Sequence, residues 1–593
     1  MVGWRALPEL LAVAVAAVGL FAVGGLGLTR WLLPDEYRRY ELVWVLPVGA
    51  CAVALALTVL GFARVPFKMS LGVVIALGVA GAVLAYRRRP GAPAMRPFAW
   101  PAYLGVLLAA GSLIPLFRAG FVTVEGQGQD AHLAVGTAQF LQKHPPTAVA
   151  IEEPVDRVPL VWRSKQPIYY ALAAVATLSG REVFETISAL AAVMLALACM
   201  GFFLIARELL RAPPWAALCG MGLVGLNPMV LHTVMHPYFN QTWGFFAMPF
   251  AVALAPLAAA GRRTPGSLAL LALFLAVCGF AYPLALPLPL LVLAVVFWPE
   301  RRALSPRRVY RGRRSLLWLV PLALVLIVPI AGVIEKATSA FNVVFDPARS
   351  LKSWGGDVFG YFPEAQFLGV HDWGLLIVAA PLLAWGAYVA LRAAPRRIRL
   401  ALIALFAFAV VFAIEFRLRR YGYYFHFKTL AFAVPVLLVT AAAGFGRIRR
   451  GWIAPVVLLV LANNAGSSEI GGTFDELPRS TLQLRDINAS LPADSSIRID
   501  VVPTEQNWIA YMLHAHPLCS QHPLLNTSYP HVRISRKADY IVAPNDRPVP
   551  ADALTPPVRR LDAFTLYRMK PSVAGAENCS RAMVQTVTSV PVS

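Results

Sequence analysis

Between Val122 and Gly180 the chain places Glu125, Asp130, His132, Glu152, Glu153, Asp156, Arg157, Arg163 and Lys165 in a single polar stretch. It is the longest polar interruption in the N-terminal two-thirds of an otherwise apolar protein. Ionisable groups beside membrane segments are costly and tend to be kept for function. Asp130 opens the segment DAHLAVGTAQFL, whose spacing predicts a short amphipathic helix lying at a membrane surface. At the N-terminus of such a helix the dipole favours an ionised carboxylate. An ionised, positioned carboxylate can take a proton from an attacking hydroxyl. The same signature fits a plain helix cap. Lys165, in KQPIYY, could steady a departing phosphate; it could equally be a surface lysine.

A second cluster reads RLRRYGYYFHFK and holds Arg417, Arg419, Arg420 and Lys428. Guanidinium and ammonium groups pair with phosphate oxygens, so a lipid phosphate is the natural ligand. Tyr421, Tyr423 and Tyr424 suit an interfacial belt, and anchoring to headgroups alone would use the same residues. In HTVMH, His232 and His236 stand four apart, on one helical face. Two histidines are too few to hold a metal; Asp130 or Glu125 could complete the set, so a divalent metal is compatible with the sequence but not required by it. The mixed-charge segment from Glu335 to Asp372 reads either as a cover for a site or as a connector.

These residues need elements to position them. The chain has 593 residues, is 58% hydrophobic and has a mean hydropathy of +0.62, which describes a membrane protein. Apolar stretches near the roughly 20 residues needed to cross a bilayer fall at 7–28, 42–61, 69–86, 99–118, 183–206, 213–231, 241–260, 266–282, 284–298, 315–334, 373–391, 400–416, 429–445 and 452–465. That gives an all-α polytopic protein of about 14 transmembrane helices. The first stretch lacks a small-residue cleavage site and reads as a retained span. With the N-terminus outside, most arginine clusters fall inside, as the positive-inside rule requires. Val122–Gly180, Glu335–Asp372 and the C-terminal tail then lie outside. The RLRRYGYYFHFK loop breaks the rule, because it too lies outside.

From Gly466 onward twelve basic and twelve acidic residues cancel, so the net charge of +22 sits on residues 1–465. This argues against nucleic acid and for loop charges that set topology. In the tail, SSIRIDVV, ADYIVAP and DAFTLYRM predict strands and EQNWIAYMLHA a helix, giving a small α/β domain. Cys519 and Cys579 lie in this tail, where a disulfide requires an extracytoplasmic location. Cys51, Cys199, Cys219 and Cys278 read as apolar packing.

An acidic residue early in the first large outer loop, a K-P-P-L-Y-Y-like motif at Lys165–Tyr170 and an apolar helix closed by Gly180 together resemble the GT-C superfamily. These are integral-membrane glycosyltransferases that use polyprenyl-phosphate-linked sugars; the pattern is similar to the aminoarabinose transferase and protein O-mannosyltransferase branches. The resemblance implies Asp130 as the catalytic carboxylate. It implies Lys165, Arg420 and Lys428 as the groups that hold the donor phosphate. Glu125, His132, Tyr423, Tyr424 and His236 become candidate substrate-binding residues. The chain departs from the pattern at Gln166, in place of the first proline, at Ala131, where a second acid is common, and at Ser164, where the aminoarabinose branch has glutamate. On this reading residues 1–98 are an N-terminal transmembrane extension, and 99–465 are the GT-C-like catalytic region with its outer loop at 119–182. Residues 466–593 are an extracytoplasmic domain.

The expected reaction is inverting transfer of a sugar from a polyprenyl-phosphate donor to a hydroxyl on a glycan, lipid or protein acceptor. It takes place at the outer face of a cell membrane, in a bacterium on the Ala/Arg-rich composition. The partners are the lipid-linked sugar donor, the acceptor and membrane lipids. A transporter or flippase of lipid-linked sugars is the rival; it would place its ionisable groups mid-span.

Overall fold

The computed structural model describes residues 6–89, 93–119, 123–124, 130–147, 165–258, 264–298, 364–419, 422–473, 476–477, 479–502, 505–523 and 532–581, with short pieces at 4, 91 and within 331–345. Glu125 and Arg420 lie outside these residues, as do residues 315–330 of the predicted span 315–334.

The protein is mostly helical. In chain order the helices are α1 (Leu7–Leu32), α2 (Glu41–Phe62), α3 (Phe67–Arg88), α4 (Arg96–Ser112), α5 (Ile114–Ala119), α6 (Asp130–Lys143), α7 (Gln166–Ser179), α8 (Val183–Leu204), α9 (Pro214–Gly225), α10 (Pro228–Met235), α11 (Phe239–Leu254), α12 (Pro265–Ala281), α13 (Pro287–Phe297), α14 (Glu364–Phe367), α15 (Leu376–Ala393), α16 (Arg396–Leu418), α17 (Tyr423–Phe445), α18 (Ile453–Gly472), α19 (Arg485–Ser490) and α20 (Gln506–Met512). Among the described residues eight helices are long and apolar enough to cross a membrane, or nine with the bent pair α9 and α10 counted as one span. The expected count of about 14 included shorter apolar helices such as α12 and α13, and predicted spans that the structure breaks, such as 99–118 at Leu113 between α4 and α5.

The most deeply buried span is α8, whose apolar window is 100% buried. Its start is fixed by a reciprocal cap between Glu182 and Glu185, and it runs on into a π-helical turn, Ile205–Leu209. Helices α9 and α10 meet at a bend of 57°. Asn227 sets that bend: its side chain caps α10 by accepting from the Met229 and Val230 amides, and its amide donates to the Phe367 carbonyl at 2.8 Å. Helices α1 and α2 approach closely at Gly25 and Gly49. A Cβ at Gly49 would lie 1.7 Å from the Phe21 carbonyl oxygen, so only glycine permits this packing. These N-terminal helices share the main core: Phe67 stacks on Tyr170 of α7.

The C-terminal domain is built on a six-stranded sheet of order β5-β4-β3-β6-β8-β7. The strands are β3 (Ile497–Ile499), β4 (Leu518–Ser520), β5 (Arg533–Ile534), β6 (Tyr540–Pro544), β7 (Ala553–Arg560) and β8 (Phe564–Met569). The first four in that order are parallel, and β8 and β7 add antiparallel. The three strands expected from sequence are β3, β6 and β8, and the expected helix is α20. The edge strand β7 carries Pro556 and Pro557 where its register slips; prolines are tolerated at an edge. Cys519 and Cys579 are joined in a disulfide.

This domain sits on the membrane region. Strand β1 (Thr123–Val124) pairs antiparallel with β2 (Glu476–Leu477), tying the approach to α6 to the exit of α18. Arg485 pairs with Glu182 and lies over the Phe184 ring, and Arg479 and Arg181 both pair with Glu9.

Candidate active site

Lys428 is the centre of the arrangement. It lies one turn into α17, 8% exposed. Its ammonium donates to the Gln241 side-chain carbonyl at the start of α11. Around it stand the rings of Tyr424 at 5.1 Å, Tyr238 at 5.3 Å and Tyr282 at 5.8 Å. Tyr282 and Tyr424 hydrogen-bond to each other through their hydroxyls at 2.8 Å. Aromatic faces attract a cation and cover it without adding negative charge, and here they enclose the ammonium.

A groove of about 350 Å³ leads away from it, lined by Leu284, Leu290, Phe408, Phe412, Phe416 and Phe425 among others, with Lys428 as its charged residue. A concave apolar surface with one placed polar group is the usual form of a small-molecule site.

On the other side of Gln241 lies a second cluster. Gln241 is 3.5 Å from the Thr233 hydroxyl, and His232, His236 and Glu469 converge beside it, their ligand atoms all within 4.8 Å of one another. His232 Nδ1 lies 2.7 Å from Glu469 Oε1, and the two imidazole rings are 4.2 Å apart. The i, i+4 spacing on α10 puts both rings on one face, as expected. The carboxylate comes from the last turns of α18, not from Asp130 or Glu125. Two imidazoles and a carboxylate are a donor set that divalent transition metals accept. Ligand atoms around such an ion stand roughly 3 to 3.5 Å apart, so small rotations of these side chains suffice.

The helix of Lys165–Tyr170 reaches the same place. Lys165 is the residue preceding α7, and Tyr169 donates to the Asn240 carbonyl oxygen at 2.8 Å, next to Gln241. Asp130 is the first residue of α6. The short helix expected from Asp130 onward is present, and it is not solvent-exposed. From Ala131 to Ala138 every residue is buried, because the helix packs on α7 and α8 and the C-terminal domain covers it: Tyr511 donates to Gln139 at 2.8 Å and His132 meets the edge of Trp508 at 5.7 Å. Burial lowers the His132 pKa to about 4. The structure thus places His132 in the junction between the two regions.

At the α16–α17 turn, Tyr423 stacks on His426, and Glu364 faces both Arg417 at 3.4 Å and His426 at 3.6 Å. The end of the Glu335–Asp372 segment therefore packs against the basic-aromatic turn. Sequence reasoning missed Gln241, Tyr238, Tyr282 and Glu469, which stand at or near span ends; Glu364 belongs to the mixed-charge segment read as a possible cover.

No protein-family model matches this chain, and no curated protein matches it. Among solved structures it is similar to the arabinofuranosyltransferase AftD from Mycobacteria, with 14% identity, 82% of this chain and 40% of that chain aligned, and a TM-score of 0.47. It is also similar to ArnT from Cupriavidus metallidurans, with 14% identity, 79% of this chain and 98% of that chain aligned, and a TM-score of 0.38. The chain thus spans less than half the length of the mycobacterial chain with which it aligns.

Proposed function

We propose that this multi-pass membrane protein transfers a sugar from a polyprenyl-phosphate donor to a hydroxyl acceptor at the outer membrane face. The observation that carries the reading is the meeting of an aromatic groove with the caged ammonium of Lys428. A lipid-linked phosphate has both complements: an isoprenoid chain for the groove and an anion for the cation.

In the proposed reaction Asp130 takes the proton of the acceptor hydroxyl. The hydroxyl oxygen attacks the anomeric carbon, the bond from that carbon to the phosphate oxygen breaks, and the sugar inverts. Charge develops on the departing lipid phosphate. Lys428 stabilises it, with Arg420 and Lys165 as further donors, and a fixed cation in a water-poor site is worth more than in solution. Tyr238, Tyr282 and Tyr424 exclude water from the ammonium. His232, His236 and Glu469 would hold a divalent cation, which when bound supplies Lewis-acid charge beside the phosphate. The Cys519–Cys579 disulfide supports an extracytoplasmic C-terminal domain, and thus an outer-face site beneath it. Acceptor and donor sugar would be selected there.

The test is photo-crosslinking with a polyprenyl phosphate that carries a diazirine on its chain. Wild type should be labelled in the groove at Phe412 or Phe416, and Lys428→Met should lose at least tenfold in labelling. Equal labelling of both proteins, or labelling confined to other helices, would refute the donor assignment. Movement of a lipid-linked sugar across vesicles without transfer would replace the enzyme with a transporter.

A further inference from the structure

The structure holds a second built cavity, at the other end of the spans. Helix α8 begins beside the C-terminal domain, where Glu182 meets Arg485, and its π-helical extension ends in this cavity. Its 22 helical residues put the cavity roughly 33 Å from that end. The cavity is about 840 Å³, and its walls come from the turn after α1, the end of α8, Pro256–Leu257 and the start of α16. Five arginines line it, Arg39, Arg207, Arg211, Arg396 and Arg397, against two carboxylates, Glu36 and Glu208.

The positive-inside rule explains cations at this end of a span. It does not explain their arrangement. Arg39 donates to Glu208 at 2.8 and 3.2 Å, and the Glu208 side chain is only 6% exposed. Arg207 donates to the Tyr40 hydroxyl at 2.7 Å and to the Ala212 carbonyl. Those two guanidiniums are committed and form a fixed wall. Among the described residues Arg211 and Arg396 have no ion pair. Two costly backbone features frame the same wall: the π-helical turn Ile205–Leu209, a geometry that gathers at functional sites, and Arg211 at φ 53°, a left-handed conformation unfavourable for a residue with a side chain.

We propose that this cavity binds a phosphate group at the arginine-rich membrane surface, with Arg211 and Arg396 as the cations that take it. Guanidinium groups bind phosphate through paired N–H donors, and the cavity's five arginines against two carboxylates leave an excess of positive charge. The volume exceeds that of a bare phosphate and admits a phosphorylated headgroup or a soluble phosphorylated metabolite. The site is independent of the transfer chemistry.

The experiment is native mass spectrometry of the full-length protein in neutral detergent, titrated with dioctanoyl phosphatidylglycerol or with dioctanoylglycerol, which lacks the phosphate. Wild type should retain the phospholipid at least tenfold better than the double variant Arg211→Gln/Arg396→Gln and should show no retention of dioctanoylglycerol. The loss caused by the glutamine variant should be the same in a Lys428→Met background, which separates this cavity from the groove above. Displacement of the lipid by glycerol 3-phosphate or inorganic phosphate would assign the ligand to the soluble pool; failure to displace assigns it to the membrane. The pair Arg211→Lys/Arg396→Lys keeps charge and fold but loses the paired donors, and should bind with intermediate strength. Equal phospholipid retention by wild type and the glutamine variant, or equal retention of dioctanoylglycerol, would overturn the proposal.

Discussion

His232 Nδ1 lies 2.7 Å from Glu469 Oε1, although the two residues are 237 positions apart in sequence. The pair joins the end of α10 to the end of α18, and with His236 it forms the three-donor cluster beside Gln241. Purified wild type should therefore carry a divalent metal, zinc being the ion best suited to this donor set. His236→Ala and Glu469→Gln should each cut the metal content by at least tenfold in elemental analysis. Chelation should lower transfer, and added zinc should restore it. Undiminished metal in both variants would place any ion elsewhere.

Lys428→Met keeps the length and apolar stem of the side chain and removes only its charge. Transfer should fall by about 10²–10³ in kcat, the usual cost of losing one placed donor at a developing anion. The melting temperature should hold or rise, because a buried charge is removed. A drop in melting temperature with unchanged kcat would make Lys428 a structural residue.

His132 links stability to acid. Its pKa is about 4 in the folded protein against an ordinary 6.5, so between those values the unfolded chain binds the proton and the folded chain does not. Stability should be full above pH 6.5 and fall as pH drops toward 4, by roughly 3 kcal/mol at most. His132→Phe keeps an aromatic ring against Trp508 and should flatten that part of the pH–stability curve, read by thermal unfolding in detergent.

The disulfide closes a loop of 60 residues. Removing it by Cys519→Ser/Cys579→Ser should destabilise the C-terminal domain by about 4 kcal/mol on the chain-entropy account. Limited proteolysis should then cut within residues 520–580 first. Because α20 of this domain covers α6, transfer should fall with it.

The membrane scaffold was legible in the sequence because apolar length alone marks a span. So was the shared face of the histidine pair, from its helical spacing. Glu469 was not legible. The predicted span stops at 465, whereas α18 runs to Gly472, and nothing near Glu469 hints at a histidine far upstream. The burial of α6 was not legible, because its polar residues, Gln139 and His132, face a covering domain rather than water, and a cover leaves no periodic signal in the covered helix. Strands β4 and β5 have three and two residues, too few to show alternation. Strand β7 is interrupted by two prolines, which count against a strand when read locally.

The most direct measurement is loss of sugar from a panel of polyprenyl-phosphate sugars, using purified full-length protein and membrane-derived acceptors, with wild type beside Asp130→Asn. The account predicts turnover by wild type on at least one donor and a loss of about 10³ or more in the folded variant. Equal turnover by both proteins would contradict it.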